Sequence, residues 1–346
     1  MGVIGAKVLI FLYNATYPIK NLDIISIIFS FAAIMYESLL GLDPIRINLS
    51  ASGNVALNFV LALIMFGIAL GMKIEHFKAL LKDPKPIGVG IFCQFLFLPF
   101  ITFIIVIIFN KVITPTVAMG MILVAACPGG NISNFMTSLS KGNTELSVTL
   151  TAISTMFAIL MTPLNFRIWG GFYVNFINNR AGSMLQPLVI EYSQMFETVV
   201  IILGIPIILG LLFAVYLPKL AFKMQKVFRF ISILFFVALV GIMFSNNWEL
   251  FVKHIKYIFI IVLIHNATAL LSGYGIAFLL KQPDRNRRTL TIETGIQNSG
   301  LGLVLLLNPK IFPPDLIIGG MFFVTAWWGI WHIISGLSIS LFWSRK

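Results

Sequence analysis

The 346 residues are 59% hydrophobic and only 10% charged, with a mean hydropathy of +0.98; an ordinary soluble domain carries about 25% charged residues, so the composition excludes one and indicates an integral membrane protein. In such a chain the net charge of +12 is first a topology signal, because Lys and Arg gather on the cytoplasmic side, and it implies no nucleic-acid partner. The only cysteines, Cys93 and Cys127, fall in apolar stretches, which argues against a disulfide framework and gives no metal-ligand spacing.

Residues 1–20 lack a basic region followed by an apolar core and a cleavage site, and they read as a membrane-associated lead-in rather than a signal peptide. A span needs about 20 apolar residues. Candidate spans follow at 22–40, 55–74, 86–109, 115–140 and 145–167, then at 192–216, 228–246, 255–280, 289–307 and 314–342. With a cytoplasmic N-terminus, 17 of the 24 basic residues fall in inside segments, so both termini are expected in the cytoplasm. An odd span count would put Arg345 and Lys346 on the wrong side. The expected architecture is one all-α transmembrane domain over 1–346 with ten helices.

Two of the ten spans are interrupted. Cys127-Pro-Gly-Gly-Asn-Ile-Ser-Asn134 breaks the fourth, and the stretch Gly295 to Gly300 breaks the ninth. Each is therefore the fourth span of a set of five, in 22–167 and 192–342. Five is odd, so a second copy of the unit enters the membrane in the opposite orientation, giving an inverted repeat. Backbone groups exposed to lipid at that depth would lack partners, so such breaks survive only inside protein or beside a water-filled cavity. Paired interruptions at corresponding positions are the sequence pointer to a transporter's binding site.

Glu293 lies within the second interrupted span. An intramembrane carboxylate costs about 2.5–3.5 kcal/mol and faces a cavity or a partner. Arg288 sits at the predicted cytoplasmic end of that helix, where it can reach water, which leaves a bound cation as the partner of Glu293. Gln297, Asn298 and Ser299 add neutral oxygens close by, as do carbonyls freed where Gly295 and Gly300 loosen the helix, and hard cations take such ligands. In the first half, Ser133 and Asn134 face Ser147 and Thr151, whose i, i+4 spacing puts both hydroxyls on one helix face. By themselves Ser147 and Thr151 would read as helix packing; beside Glu293 they read as ligands. One carboxylate among neutral oxygens suits a monovalent ion better than Ca2+.

Gln94 is the one strongly polar side chain of the third span, by itself equally a helix-to-helix hydrogen bond. The pair His265-Asn266 reads as packing, and His332 as a substrate contact or a structural histidine. The helix restarting after Gly130 offers N–H groups and a positive dipole end, which favours an anionic substrate.

Taken together, Ala125 to Asn134, Lys141-Gly-Asn143 with Leu146-Ser-Val148, Thr162-Pro163, Glu293 to Gly300 and Trp331-His332 resemble the bile acid:sodium symporter family, in its ten-helix prokaryotic form, from about residue 55 onward. The resemblance implies panel and core domains with broken helices 4 and 9 crossing in the core. It implies a first sodium site at Ser133, Asn134, Ser147, Thr151 and Glu293. It implies a second at Gln94, Glu293, Gln297 and the carbonyls of Thr294 and Ile296. Substrate would lie near Asn131, Ile132, Asn298 and His332. Two positions depart from the family pattern: Asn131, where members commonly carry Thr, and Ile333, where many carry Asn.

The expected function is a sodium-coupled symporter importing an organic anion (bile-acid-like, pantoate-like or another carboxylate or sulfonate) across the cell membrane by alternating access. It would use two sodium ions, no organic cofactor, and no protein partner beyond the surrounding lipid. The alternatives are coupling to protons through Glu293, a receptor-like protein that binds without transporting, and a membrane-embedded enzyme. No metal motif, nucleophile elbow or phosphate loop accompanies His265 or His332 to support the last.

Overall fold

The computed structural model describes residues 22–45, 51–73, 75, 78, 82–181, 192–246, 248–313 and 316–345; the predicted lead-in at 1–20 lies outside them. Helix occupies most of each stretch marked as a span, the second ending at Ala69 and the last beginning at Gly319. α1 is Leu22–Leu40, α2 Ala51–Ala69 and α3 Pro84–Ile108. The first interrupted helix is α4a, Pro115–Ala126, with α4b, Ile132–Leu139, and α5 is Thr144–Ala181. Helix α6 joins Tyr192–Val199 to Ile205–Tyr216 through a π-helical turn at Val200–Gly204, followed by α7, Pro218–Asn246, and α8, Trp248–Leu279. The second interrupted helix is α9a, Asp284–Gly295, with α9b, Ser299–Leu306, and α10 is Gly319–Ser344. Among the described residues, five helical stretches, in α3, α5, α6, α8 and α10, are long and apolar enough to cross a membrane. The outward side chains suit lipid: Leu212, Phe222, Leu234, Leu271 and Phe278 are all exposed.

Local sequence explains the irregularities. Pro128 has no N–H and drives the preceding residue out of the helical region, so α4a stops and Cys127 is extended at φ −73°, ψ 156°. In α3 the ring of Pro99 disturbs the turn before it, and the helix widens into a π-helical segment at Cys93–Phe97. That widened turn carries Gln94.

Two polar clusters mark opposite ends of the bundle. At one end Arg288, at the start of α9a, pairs with Asp284 at 2.8 Å. It also donates to the carbonyls of Ser140 after α4b, at 2.9 Å, and Trp343 in the last turn of α10, at 3.3 Å. The expectation that Arg288 reaches water is met only in part: its side chain is 15% exposed, and its guanidinium also addresses carbonyls at the C-terminal ends of two other helices. Nearby, Asn143 Nδ2 donates to Asn286 Oδ1 at 2.9 Å and Asn143 N to Thr289 Oγ1 at 2.8 Å. The end of α4b thus meets the start of α9a, and the two interrupted helices run in opposite directions.

At the other end Asp43, in the turn after α1, accepts from Thr114 Oγ1 at 3.1 Å and from Thr116 Oγ1, while its carbonyl accepts from Gly319 N at 3.1 Å. Burial lifts the Asp43 carboxyl to about 6, outweighing the two hydroxyls that lower it. A carboxyl raised in the folded state favours folding most below its ordinary value of 3.8, and that contribution is lost as pH rises through about 6. Thermal stability in detergent should therefore fall across that window, and Asp43→Asn should remove this component. An Asn variant that keeps the full fall would assign it to another group.

Candidate functional site

The problem posed by two breaks at membrane depth is solved by pairing them with each other. Gly129 and Gln297 form an isolated antiparallel bridge. Gly130 N donates to Ile296 O at 2.7 Å, and Asn298 N donates to Pro128 O at 2.8 Å. Each break supplies the backbone partner that the other lacks. A Cβ on Gly130 would lie 3.2 Å from Gln297 O, so a bare backbone is what permits the approach. The second break is shorter than the sequence suggests: it spans Ile296 to Asn298, and Gly300 already belongs to α9b.

Beside this crossing the five residues expected at the first sodium site converge. Glu293, on the last turn of α9a and 5% exposed, accepts from Ser133 Oγ of α4b at 2.5 Å and from Ser147 Oγ of α5. Thr151 Oγ1 stands 3.2 Å from Glu293 Oε2. Asn134 Oδ1 lies 2.9 Å from Ser147 Oγ and 3.3 Å from Thr151 Oγ1. Three helices therefore gather four neutral side-chain oxygens of hard-donor type around one carboxylate. A hydroxyl carries two lone pairs as well as its proton, so each one that now donates to Glu293 can turn a lone pair toward a cation.

The second predicted set is adjacent. Gln94 Nε2 lies 2.6 Å from Gln297 Oε1 and 2.8 Å from Cys127 O, linking α3 to both interrupted helices. Gln297 Nε2 donates to Thr294 O at 2.8 Å, and Ile296 O holds Gly130 N. A Cβ on Gly129 would lie 3.2 Å from Glu293 Oε2 and 3.8 Å from Gln94 Oε1. Glu293, Gln94 and the bridge thus border one small region. No group of three or more His, Cys, Asp or Glu able to hold a metal occurs among the described residues, so the donor chemistry is that of neutral oxygens around a single carboxylate. Such a set fits a monovalent hard cation.

The expected substrate residues are less closely joined. Asn131 and Ile132 are exposed at the restart of α4b, but the N–H of Ser133 bonds back to Gly130 O at 2.9 Å and is not offered to a ligand. Asn298 caps α9b, its Oδ1 accepting from Leu301 N at 3.0 Å. His332 is buried on α10, and its Nδ1 has no hydrogen-bond partner among the described residues. No hydrogen bond among those residues joins His332 to Asn131, Ile132 or Asn298.

One buried amide outside the expected sets touches the second break. Asn266, read as packing, donates Nδ2 to Gly295 O at 2.7 Å. The available signal was a buried amide in the helix preceding a break. Its neighbour His265 does pack, with Nε2 2.8 Å from Thr102 Oγ1 and its ring 4.7 Å from that of Trp328.

Comparison with known proteins follows the same lines. Residues 58–254 match the sodium bile acid symporter family. The chain is 32% identical over 286 residues to an uncharacterised sodium-dependent transporter of Bacillus subtilis, covering 83% of this chain and 82% of that protein. It is 27% identical over 277 residues to a probable chloroplastic sodium/metabolite cotransporter of Oryza sativa subsp. japonica, covering 77% of this chain and 62% of that one. A sodium-dependent organic anion transporter of Rattus norvegicus shares 28% identity over 305 residues, 86% of this chain and 77% of that one.

Proposed function

The chain belongs to the sodium bile acid symporter family, and from that premise we propose that it is a symporter importing an organic anion down the inward sodium gradient. The family is one of transporters and not of enzymes. The observation that carries the reading is the convergence of Ser133, Asn134, Ser147 and Thr151 on Glu293 beside the bridged breaks.

In this reading one sodium ion takes the oxygens of Ser133, Asn134, Ser147, Thr151 and Glu293. A second takes those of Gln94, Glu293 and Gln297 with the carbonyls of Thr294 and Ile296. Two cations on one carboxylate leave net positive charge at the crossing, which attracts an anion to the side lined by Asn131, Ile132, Asn298 and His332. Sodium held by α4b, α5 and α9a together favours the state in which those helices are drawn in, so ion binding and substrate affinity are linked through one conformational equilibrium.

The opposed interrupted helices support an architecture of ten spans in two inverted five-helix repeats. Its core would carry the crossing and a panel would rock against it, both termini facing the cytoplasm of a cell membrane. The relatives named for organic anions and for a metabolite support that substrate class.

The test is uptake into proteoliposomes from a panel of carboxylates, sulfonates and bile acids, with external sodium replaced by potassium or choline. Saturable accumulation should require sodium. Undiminished accumulation without it, or accumulation driven by a pH gradient alone, would overturn sodium coupling.

A further inference from the structure

Helix α8 lies against α9a at very short range. A Cβ on Gly273 would sit 2.6 Å from the carbonyl oxygen of Leu290, and one on Gly295 would sit 2.2 Å from Leu270 Cδ2. This proximity lets the amide of Asn266, 1% exposed, reach Gly295 O at 2.7 Å. Gly295 is the last residue of α9a, and its carbonyl lies in sequence between those of Thr294 and Ile296. Carbonyls at a helix end have no intrahelical partner, and a glycine there leaves the adjoining peptide planes free to turn. The bond from Asn266 removes that freedom.

The other end of the amide is also engaged. Asn266 Oδ1 lies 2.6 Å from Ser335 Oγ on α10, and the same hydroxyl lies 3.2 Å from His332 O, one turn earlier. The amide thus ties the end of α9a to the helix that carries His332.

We infer that Asn266 is a positioning residue for the second sodium site, holding the Gly295 peptide so that the Thr294 and Ile296 carbonyls on either side point where the ion needs them, with Ser335 orienting the amide. This rests on the sodium reading proposed above. A residue that only filled space between α8 and α9a would affect how stable the protein is, but not how much sodium is needed to load it.

The experiment is a sodium titration of the thermal stability of the full-length protein in detergent, with choline chloride holding ionic strength constant. A saturable rise with sodium is expected for the unmodified protein, since a ligand of the native state raises its apparent stability. Asn266→Leu, near in size but unable to bond, should raise the sodium half-saturation about tenfold, as expected for losing a buried hydrogen bond. Ser335→Ala, which leaves the Gly295 bond but frees the far end of the amide, should raise it about threefold.

Variants that melt earlier without sodium yet keep the normal half-saturation would overturn the positioning role alone. If Asn266→Leu does not fold, Ser335→Ala decides, and an unchanged half-saturation in it overturns the proposal. An unmodified protein with no sodium-specific shift, or one whose shift survives Glu293→Gln, would sink the sodium reading and this inference with it.

Discussion

Glu293→Gln should abolish sodium-driven accumulation while leaving the protein folded. The carboxylate is the only formal charge in either proposed sodium set, and it is shared by both. At an effective dielectric of about 20, two unit charges 4 Å apart attract by about 4 kcal/mol, so losing the charge should weaken each site by roughly two to three orders of magnitude. Folding should survive because glutamine keeps an oxygen that Ser133 Oγ and Ser147 Oγ can address in place of Glu293 Oε1. The measurement is initial uptake under an imposed sodium gradient beside the sodium-dependent thermal shift. Accumulation above about a tenth of normal would show that this carboxylate is not the shared ligand; the threshold lies well above the residual that the electrostatic loss leaves.

A mutation remote from the carboxylate should be as damaging by another route. Gly120→Val is expected to prevent folding, or to lower the melting temperature by about 1–4 °C for an overpacking cost of about 1–3 kcal/mol, and by more if the cost is larger. A Cβ at Gly120 would lie 2.6 Å from Met321 Cα and 2.9 Å from Met321 O. Those are backbone atoms of α10, which cannot rotate aside as a side chain would. The seam is tight from both sides, because a Cβ at Gly320 would lie 2.1 Å from Thr116 Oγ1 and 2.8 Å from Val117 N. Forcing α4a from α10 would also displace Pro128 and Gly130 from their partners across the bridge. Gly88→Val is the control: nothing lies within 4 Å of a Cβ there, and its melting temperature should change little. Comparable losses in both variants would remove the seam as the explanation.

Much of this could be read without coordinates. Glu293 stands out because an ionisable group inside an apolar span carries a penalty that a chain accepts only where something offsets it. Ser147 and Thr151 are legible because helical periodicity alone puts positions four apart on one face. The breaks are legible because proline and glycine act locally on the backbone. The carbonyl contacts of Arg288 and the helical state of Gly300 were not legible, for the complementary reason. Whether a long cation reaches water or the carbonyl ends of two other helices depends on where those helices end, and a helix boundary shifts by a residue or two with its cap, here Asn298.

The sequence by itself thus determined a membrane protein of many helices, its two interrupted spans, and the one carboxylate and the hydroxyls that surround it, since hydropathy, backbone stiffness and desolvation cost are properties of residues in order. Only the tertiary structure decided that the two breaks satisfy each other's backbone through Gly129 and Gln297, that Gln94 sits on a widened turn reaching both, and that Asn266 holds the Gly295 carbonyl. Those contacts join residues up to 203 apart in the chain. Their geometry is set by how closely glycine-lined helices approach, a quantity that no local pattern encodes.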